Sequence, residues 1–284
     1  MNKDTIILSM TTWPPRYKDA MEAMYRIVEQ RDADRLRDDV HCVLVLSKEE
    51  CKENVREANE LKAYMDWLGV EVIYDSGNIR SHKKLITTIE QYPDYPVLVV
   101  DDDGLQAEHW LSTFVADHRQ HPTDIIYGMS LSRVFLFDGK IVDDYGNTPH
   151  TIQIPGEVST DKKPASGASG TLYPAHTFTD PRFFDRKLLM RLSPTSDEVW
   201  SFAFAKMARR TFRCLSRCNY PQIMDSNQDV ALFKANYGHY NEIHNAIAQE
   251  FPEYVESLKT ELGRQKKLRF VVKRSPCPTA MPRR

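Results

Sequence analysis

The chain has 284 residues, 41% of them apolar and 27% charged, with 38 Lys and Arg against 40 Asp and Glu for a net charge of −2. That apolar content builds a sizeable core and excludes wholesale disorder, while the balanced charge provides no global field for nucleic acid. No apolar run approaches the ~20 residues that span a bilayer, and residues 1–10 lack a signal peptide's apolar centre, so a cytoplasmic protein is expected.

Residues 5–9 (TIILS), 40–46 (VHCVLVL), 70–74 (VEVIY) and 96–100 (PVLVV) are short, β-branched and continuously apolar, as strands covered on both faces are. Residues 17–36, 48–68 and 83–91 lie between or beside them and carry helical patterns; the second spaces Val55, Leu61, Met65 and Leu68 among charges. This alternation predicts an α/β fold, with an open, mostly parallel sheet flanked by helices over the first ~100 residues. Ligands of such sheets bind at the carboxyl ends of the strands. Residues 138–169 are rich in Gly, Pro, Asp, Ser, Thr and Lys and read as a long functional or mobile loop. Helices are predicted at 196–210, 227–237 and 242–251, making the C-terminal part helical. One domain over 1–263 is expected, with a nucleotide-binding half (1–105) and an acceptor half (106–263), followed by a basic tail (264–284). The tail has eight Lys and Arg and no acid; it is either a solvated terminus or a peripheral contact with anionic lipid at the inner membrane. Five scattered cysteines are too few for a disulfide framework and read as reduced thiols.

The strongest local signal is the acidic triplet Asp101-Asp102-Asp103 ending a buried strand. Three such acids repel one another and cost solvation, and a divalent cation is the simplest compensation. Asp101 and Asp103, two apart on extended backbone, reach one side, and hard oxygen ligands suit Mn²⁺ or Mg²⁺. The bland reading is a solvated turn that caps the next helix. Upstream, Asp75 is placed to accept hydrogen bonds from a base or ribose, while Arg80, Lys83 and Lys84 offer charge to phosphates at a helix N-terminus. Thr11, Thr12, Trp13 and Arg16 leave the first strand with hydroxyls, a ring and a cation suited to a nucleotide pocket. Asp197 and Glu198 open a helix, where acids suit the dipole; the sharper reading makes one of them a general base, with Trp200 as a wall for a sugar ring.

Taken together, the strand-DDD element, the arginine-lysine segment, the turn Gly167-Ala168-Ser169-Gly170-Thr171-Leu172-Tyr173-Pro174 and the Asp197-Glu198-Val199-Trp200 element resemble bacterial glycosyltransferases of the GT-A (Rossmann-like) fold. The nearest group is that associated with capsule and lipopolysaccharide synthesis. The resemblance runs from about Ile6 to Asn245. It implies that the triplet is a DxD motif, with Asp103 the metal ligand and Asp101 serving metal or ribose. It also puts Thr11, Thr12, Arg16, Asp75 and Lys84 at the nucleoside, Gly170 beside the sugars, and the catalytic carboxylate at Asp197 or Glu198. Some GT-A enzymes add a C-terminal histidine to the metal, which makes His239 and His244 candidates. The chain departs from its relatives at Pro174-Ala175, at the Asp-Glu pair, and at Gly104-Leu105-Gln106 after the triplet.

The function expected is therefore metal-dependent sugar transfer from a nucleotide-sugar donor, most commonly a UDP-sugar, to a glycan or lipid-linked acceptor of bacterial surface polysaccharide. Two other readings stand beside it: a Mg²⁺-dependent phosphohydrolase of the haloacid dehalogenase kind, whose first motif also ends an apolar strand in Asp-x-Asp, and a non-catalytic nucleotide- or sugar-binding protein.

Overall fold

The computed structural model describes residues 1–145, 153–165, 167–217, 221–224, 236 and 238–259. In chain order the strands are β1 (Ile6–Thr11), β2 (Val40–Ser47), β3 (Glu71–Asp75), β4 (Val97–Val100), β5 (Gly104–Leu105), β6 (Ile125–Tyr127), β7 (Ser130–Phe137) and β8 (Lys140–Asp143), then β9 (Val158–Ser159), β10 (Lys162–Pro164), β11 (Thr171–Tyr173), β12 (Phe212–Cys214) and β13 (Gln222–Ile223). The helices are α1 (Tyr17–Ala33), α2 (Lys48–Glu53), α3 (Val55–Leu68), α4 (Lys83–Gln91), α5 (Trp110–Gln120), α6 (Arg186–Leu192), α7 (Asp197–Met207) and α8 (Tyr240–Glu250), with a further helical stretch at 252–259.

Successive side chains of a strand face opposite sides, so an apolar run without alternation must be covered twice. Ile6, Leu8 and Met10 of β1 enter one hydrophobic cluster with α1, α3 and α5, while Ile7 enters a second. Strand β4 divides the same way, Leu98 and Val100 joining the first cluster and Val97 and Val99 the second. The second cluster is closed by Leu85 and Ile86 of α4, Leu189 of α6, a run of α7 from Val199 to Ala205, and Ile247 of α8. The Ser9 and Thr88 hydroxyls, 2.8 Å apart and buried, fasten α4 onto β1.

The central sheet has eight strands in the order β3-β2-β1-β4-β11-β6-β12-β9. Strands β3, β2, β1 and β4 run parallel, as do β6 and β12; β11 is antiparallel to both β4 and β6, and β9 to β12. The result is the open, mostly parallel α/β sheet flanked by helices that the alternation predicted. No helix among the described residues is long and apolar enough to cross a membrane.

Residues 138–169 are not the loop expected. Within the described residues they contain β8, β9 and β10, and β7 pairs with β8 on one side and β10 on the other. Asp138 and Gly139 both have positive φ, 48° and 74°, and form the two-residue turn between Phe137 and Lys140. An Asp-Gly pair between strands is a strong hairpin signal because that turn needs two left-handed residues. The 48–68 helix is broken at Asn54 into α2 and α3. The predicted helix at 227–237 lies, apart from Asn236, outside the described residues, as does the basic tail.

Candidate active site

Four elements deliver charged side chains to the carboxyl edge of the parallel strands. The loop after β1 brings Thr12 and Arg16, the end of β4 brings the triplet, and the N-termini of α4 and α7 bring Lys84 and Asp197. The Thr12 hydroxyl donates to Asp102 Oδ2 at 2.6 Å, and Arg16 Nη1 donates to Asp102 Oδ1 at 3.1 Å and to Asp103 Oδ2 at 2.9 Å. Lys84, 2% exposed, places its ammonium 2.6 Å from Asp101 Oδ1 and 3.0 Å from Asp197 Oδ2. One lysine thus ties the acidic triplet to the acids of α7. His82, from the same turn, donates through Nε2 to the Ser193 carbonyl at 2.8 Å, docking the start of α4 against the approach to α7. Burial holds this imidazole neutral, at about 4.

The triplet's backbone is fixed from two sides. Asp101 N–H donates to the Gly167 carbonyl at 2.9 Å, and Met224 N–H, beside β13, donates to the Asp103 carbonyl at 2.8 Å. Gly167 has no room for a side chain: a Cβ there would lie 1.9 Å from Asp101 Oδ1. The small-residue turn therefore exists so that backbone can close over a carboxylate.

The electrostatics follow from this crowding. Burial pushes Asp102 up to about 6 despite Thr12 and Arg16. Burial also raises Asp101, with Asp103 and Asp197 adding to it and Lys84 opposing. At Asp197 burial is outweighed by Lys84 and His82, which hold it at about 2. Glu198 goes the other way, raised by burial and by Asp197 beside it. Its carboxylate accepts from the Tyr240 hydroxyl at 3.2 Å.

Several expectations need correction. Arg16, Thr12 and Lys84 offset part of the repulsion within the triplet from inside the chain, so the three acids are not left uncompensated. Trp200 is 1% exposed, donates to the Phe183 carbonyl at 3.0 Å and stacks among Phe183, Phe204 and Phe251; it is core, with no face for a sugar. Gly170 serves packing: its φ is +85°, and a Cβ would strike Trp110 at 2.6 Å. The Thr11 hydroxyl is spent on the Val45 carbonyl at 2.8 Å. Lys83 turns away from the triplet to Asn78 at 3.0 Å and Glu50 at 3.5 Å. Arg80 is exposed in left-handed backbone, φ 54°. His244 is wholly buried with both ring nitrogens engaged, Nε2 with Asp143 at 3.1 Å and Nδ1 with Tyr254 at 2.7 Å. His239 is exposed and paired with Glu242 at 2.9 Å. Among the described residues no three His, Cys, Asp or Glu side chains converge as a metal cage, so neither histidine joins Asp101 and Asp103.

Asp75 is buried, and its Oδ1 is engaged by Thr87 at 2.8 Å and by Arg186, a cation that no local motif marked. Its Oδ2 is buried without a hydrogen-bond partner. Also unmarked were Asp143, Lys163 and Tyr240. Their roles depend on contacts with residues tens of positions away, and only the Asp-Gly hairpin leading into β8 carried a readable signal.

No family model matches this sequence, and no curated protein does. Among solved structures, the chain is similar to a UDP-glucose pyrophosphorylase complexed with UDP-glucose, at 11% identity and TM-score 0.45, over 84% of this chain and 99% of that one. It is similar to a mannosyltransferase from Pyrobaculum calidifontis in complex with GDP-Man and Mn²⁺, at 12% identity and TM-score 0.44, over 96% and 76%. It is also similar to GalNAc-T7 with UDP, GalNAc and Mn²⁺, at 11% identity and TM-score 0.46, over 79% and 44%. At these identities the similarity is one of chain course.

Proposed function

We propose that this protein is a glycosyltransferase that takes a sugar from a nucleotide-sugar donor. The observation that carries the reading is the convergence of the β1 loop, the β4 triplet, Lys84 and the α7 acids at the carboxyl edge of the sheet, where open α/β folds bind ligands. The donor's diphosphate meets Arg16 and Lys84.

A divalent ion fits the donor set. Asp101 and Asp103 offer hard carboxylate oxygens, the Asp101 side chain is 34% exposed, and Mg²⁺-type ions are often held by one or two carboxylates plus substrate phosphates. Asp101 and Asp103 would hold it, and its chemistry there would be to neutralise charge on the departing diphosphate. Asp197 is committed to Lys84 and is a weak proton acceptor, whereas Glu198 is half-buried, raised and adjacent. Glu198 therefore takes the proton from an acceptor hydroxyl. The hydroxyl oxygen bonds to the anomeric carbon, the sugar–phosphate C–O bond breaks, and its electron pair leaves with the nucleoside diphosphate. The acceptor proposed, from the motif resemblance, is a glycan or lipid-linked glycan of bacterial surface polysaccharide.

Calorimetric titration of UDP-, GDP-, CMP- and dTDP-sugars, with Mn²⁺ and then with EDTA, tests the reading. Metal-dependent binding of one nucleotide class is expected. No binding by any of them, together with cleavage of an aryl phosphate, would replace it with the phosphohydrolase reading.

A further inference from the structure

A second charged cluster, contributing Lys163, also acts on Glu198. Lys163 of β10 and Asp143 of β8, 2% and 0% exposed at the side chain, pair at 2.6 Å. Asp143 also holds His244 Nε2 at 3.1 Å, and His244 Nδ1 meets the Tyr254 hydroxyl at 2.7 Å. Burying such a pair gains little stability over apolar packing, so its presence calls for another reason. The Lys163 ammonium sits 3.9 Å from the centre of the Tyr240 ring, and Tyr145 stacks on that ring at 4.6 Å. Helix α8, which carries Tyr240, is laced to β8 by Asn241 and Asn245: Asn241 Oδ1 accepts from Asp143 N–H at 2.6 Å, and Asn245 Oδ1 accepts from Ile141 N–H at 3.2 Å. The Tyr240 ring is thus packed between Lys163 and Tyr145 on a helix tied to β8, and the hydroxyl at its end donates to Glu198 Oε1.

We propose that Tyr240 is a positioning residue for Glu198, its ring clamped by the Asp143–Lys163–His244 cluster and Tyr145 so that its hydroxyl fixes the orientation of that carboxylate. The proposal rests on the reading of Glu198 as the base. The groups facing Glu198 are Asp197 on its own helix, Lys84 from α4, Lys163 from β10 and Tyr240 from α8. A donated hydrogen bond stabilises the charged carboxylate, so removing the hydroxyl moves the Glu198 titration upward.

The test is Tyr240→Phe, which keeps the ring, its stacking and its contact with Lys163. Hydrolysis and binding are measured with whichever sugar nucleotide of the UDP, GDP, CMP and dTDP panel binds with Mn²⁺. The expected result is an unchanged Kd, kcat reduced about tenfold, an acidic limb of the kcat profile moved to higher pH, and no further loss when the change is added to Glu198→Gln. An unaltered kcat profile, or losses that simply add to those of Glu198→Gln, would overturn the positioning role while the transferase reading stood. If no sugar nucleotide binds, the transferase reading fails, and ¹³C carboxyl titration of Glu198 in wild type and Tyr240→Phe decides the contact alone. An upward shift of about half a unit or more upholds it, and coincident curves refute it.

Discussion

Two charged clusters lie near α7, and they are balanced differently. In the inner one, a single acid, Asp143, meets Lys163 and His244, and although burial works against it, that company holds it far below the ordinary carboxylate range. At the sheet edge, the ion pairs among described residues set four carboxylates, Asp101, Asp102, Asp103 and Asp197, against Arg16 and Lys84. There burial leaves Asp102 near 6 and Asp101 raised. The inner cluster is balanced in charge, one acid against one lysine. The outer one is left short of positive charge, which is how a site that receives a cationic or hydrogen-bonding ligand differs from one that only supports it.

The largest effect should come from unbalancing the inner cluster. Asp143→Ala strands the Lys163 ammonium in the core and is expected to cost about 3–5 kcal/mol in urea denaturation at neutral pH. A loss below about 1 kcal/mol would mean that the cluster is not balanced as described. Because Asp143 is held below its unfolded value, its contribution is present above about pH 4 and fades as pH falls through the folded value.

At the outer cluster the expected losses are of function, not of fold. Glu198→Gln should reduce turnover by about 10²-fold or more with donor binding retained. Asp103→Ala should weaken Mn²⁺-dependent donor binding by about 10²-fold without lowering Tm, and an unchanged affinity would remove Asp103 from the metal site.

Smaller effects sharpen the contrast in sign. Asp102 is raised from 3.8 to about 6, so the folded protein binds more protons than the unfolded chain between those values. Stability should therefore rise as pH falls from 7 towards 5, by about 1.3 kcal/mol, opposite to the contribution of Asp143. Asp102→Asn should abolish that rise in pH-dependent denaturation; if the slopes coincide, Asp102 is not the group responsible. Last, Gly167→Ala pushes a Cβ into the Asp101 carboxylate and should lower turnover about tenfold with only a modest loss of Tm, measured side by side.

The strands and helices of the first half were legible because apolar runs such as Val97–Val100 must be covered on both faces, and acids directly after them stand out. The hairpin at Asp138-Gly139 was also written locally, but the polar composition around it resembles a loop until β7 is found to pair on both sides. The misplaced residues share one cause. Trp200, Gly170, Lys83 and His244 carry chemistry that suits a site, but which way each side chain points is set by partners far along the chain: Phe183, Trp110, Glu50 and Asp143.

Sequence by itself determined the α/β alternation, the acidic triplet at a strand's end and the acid pair that opens α7, since these depend on periodicity and on neighbours a few residues away. Only the tertiary structure decided that Lys84 joins Asp101 to Asp197, that Arg16 rests on the triplet, and that Lys163 and Tyr240 stand behind Glu198. Ion pairing acts over a few ångströms of space whatever the separation in sequence, so these partners became visible only once the sheet had brought its edges together.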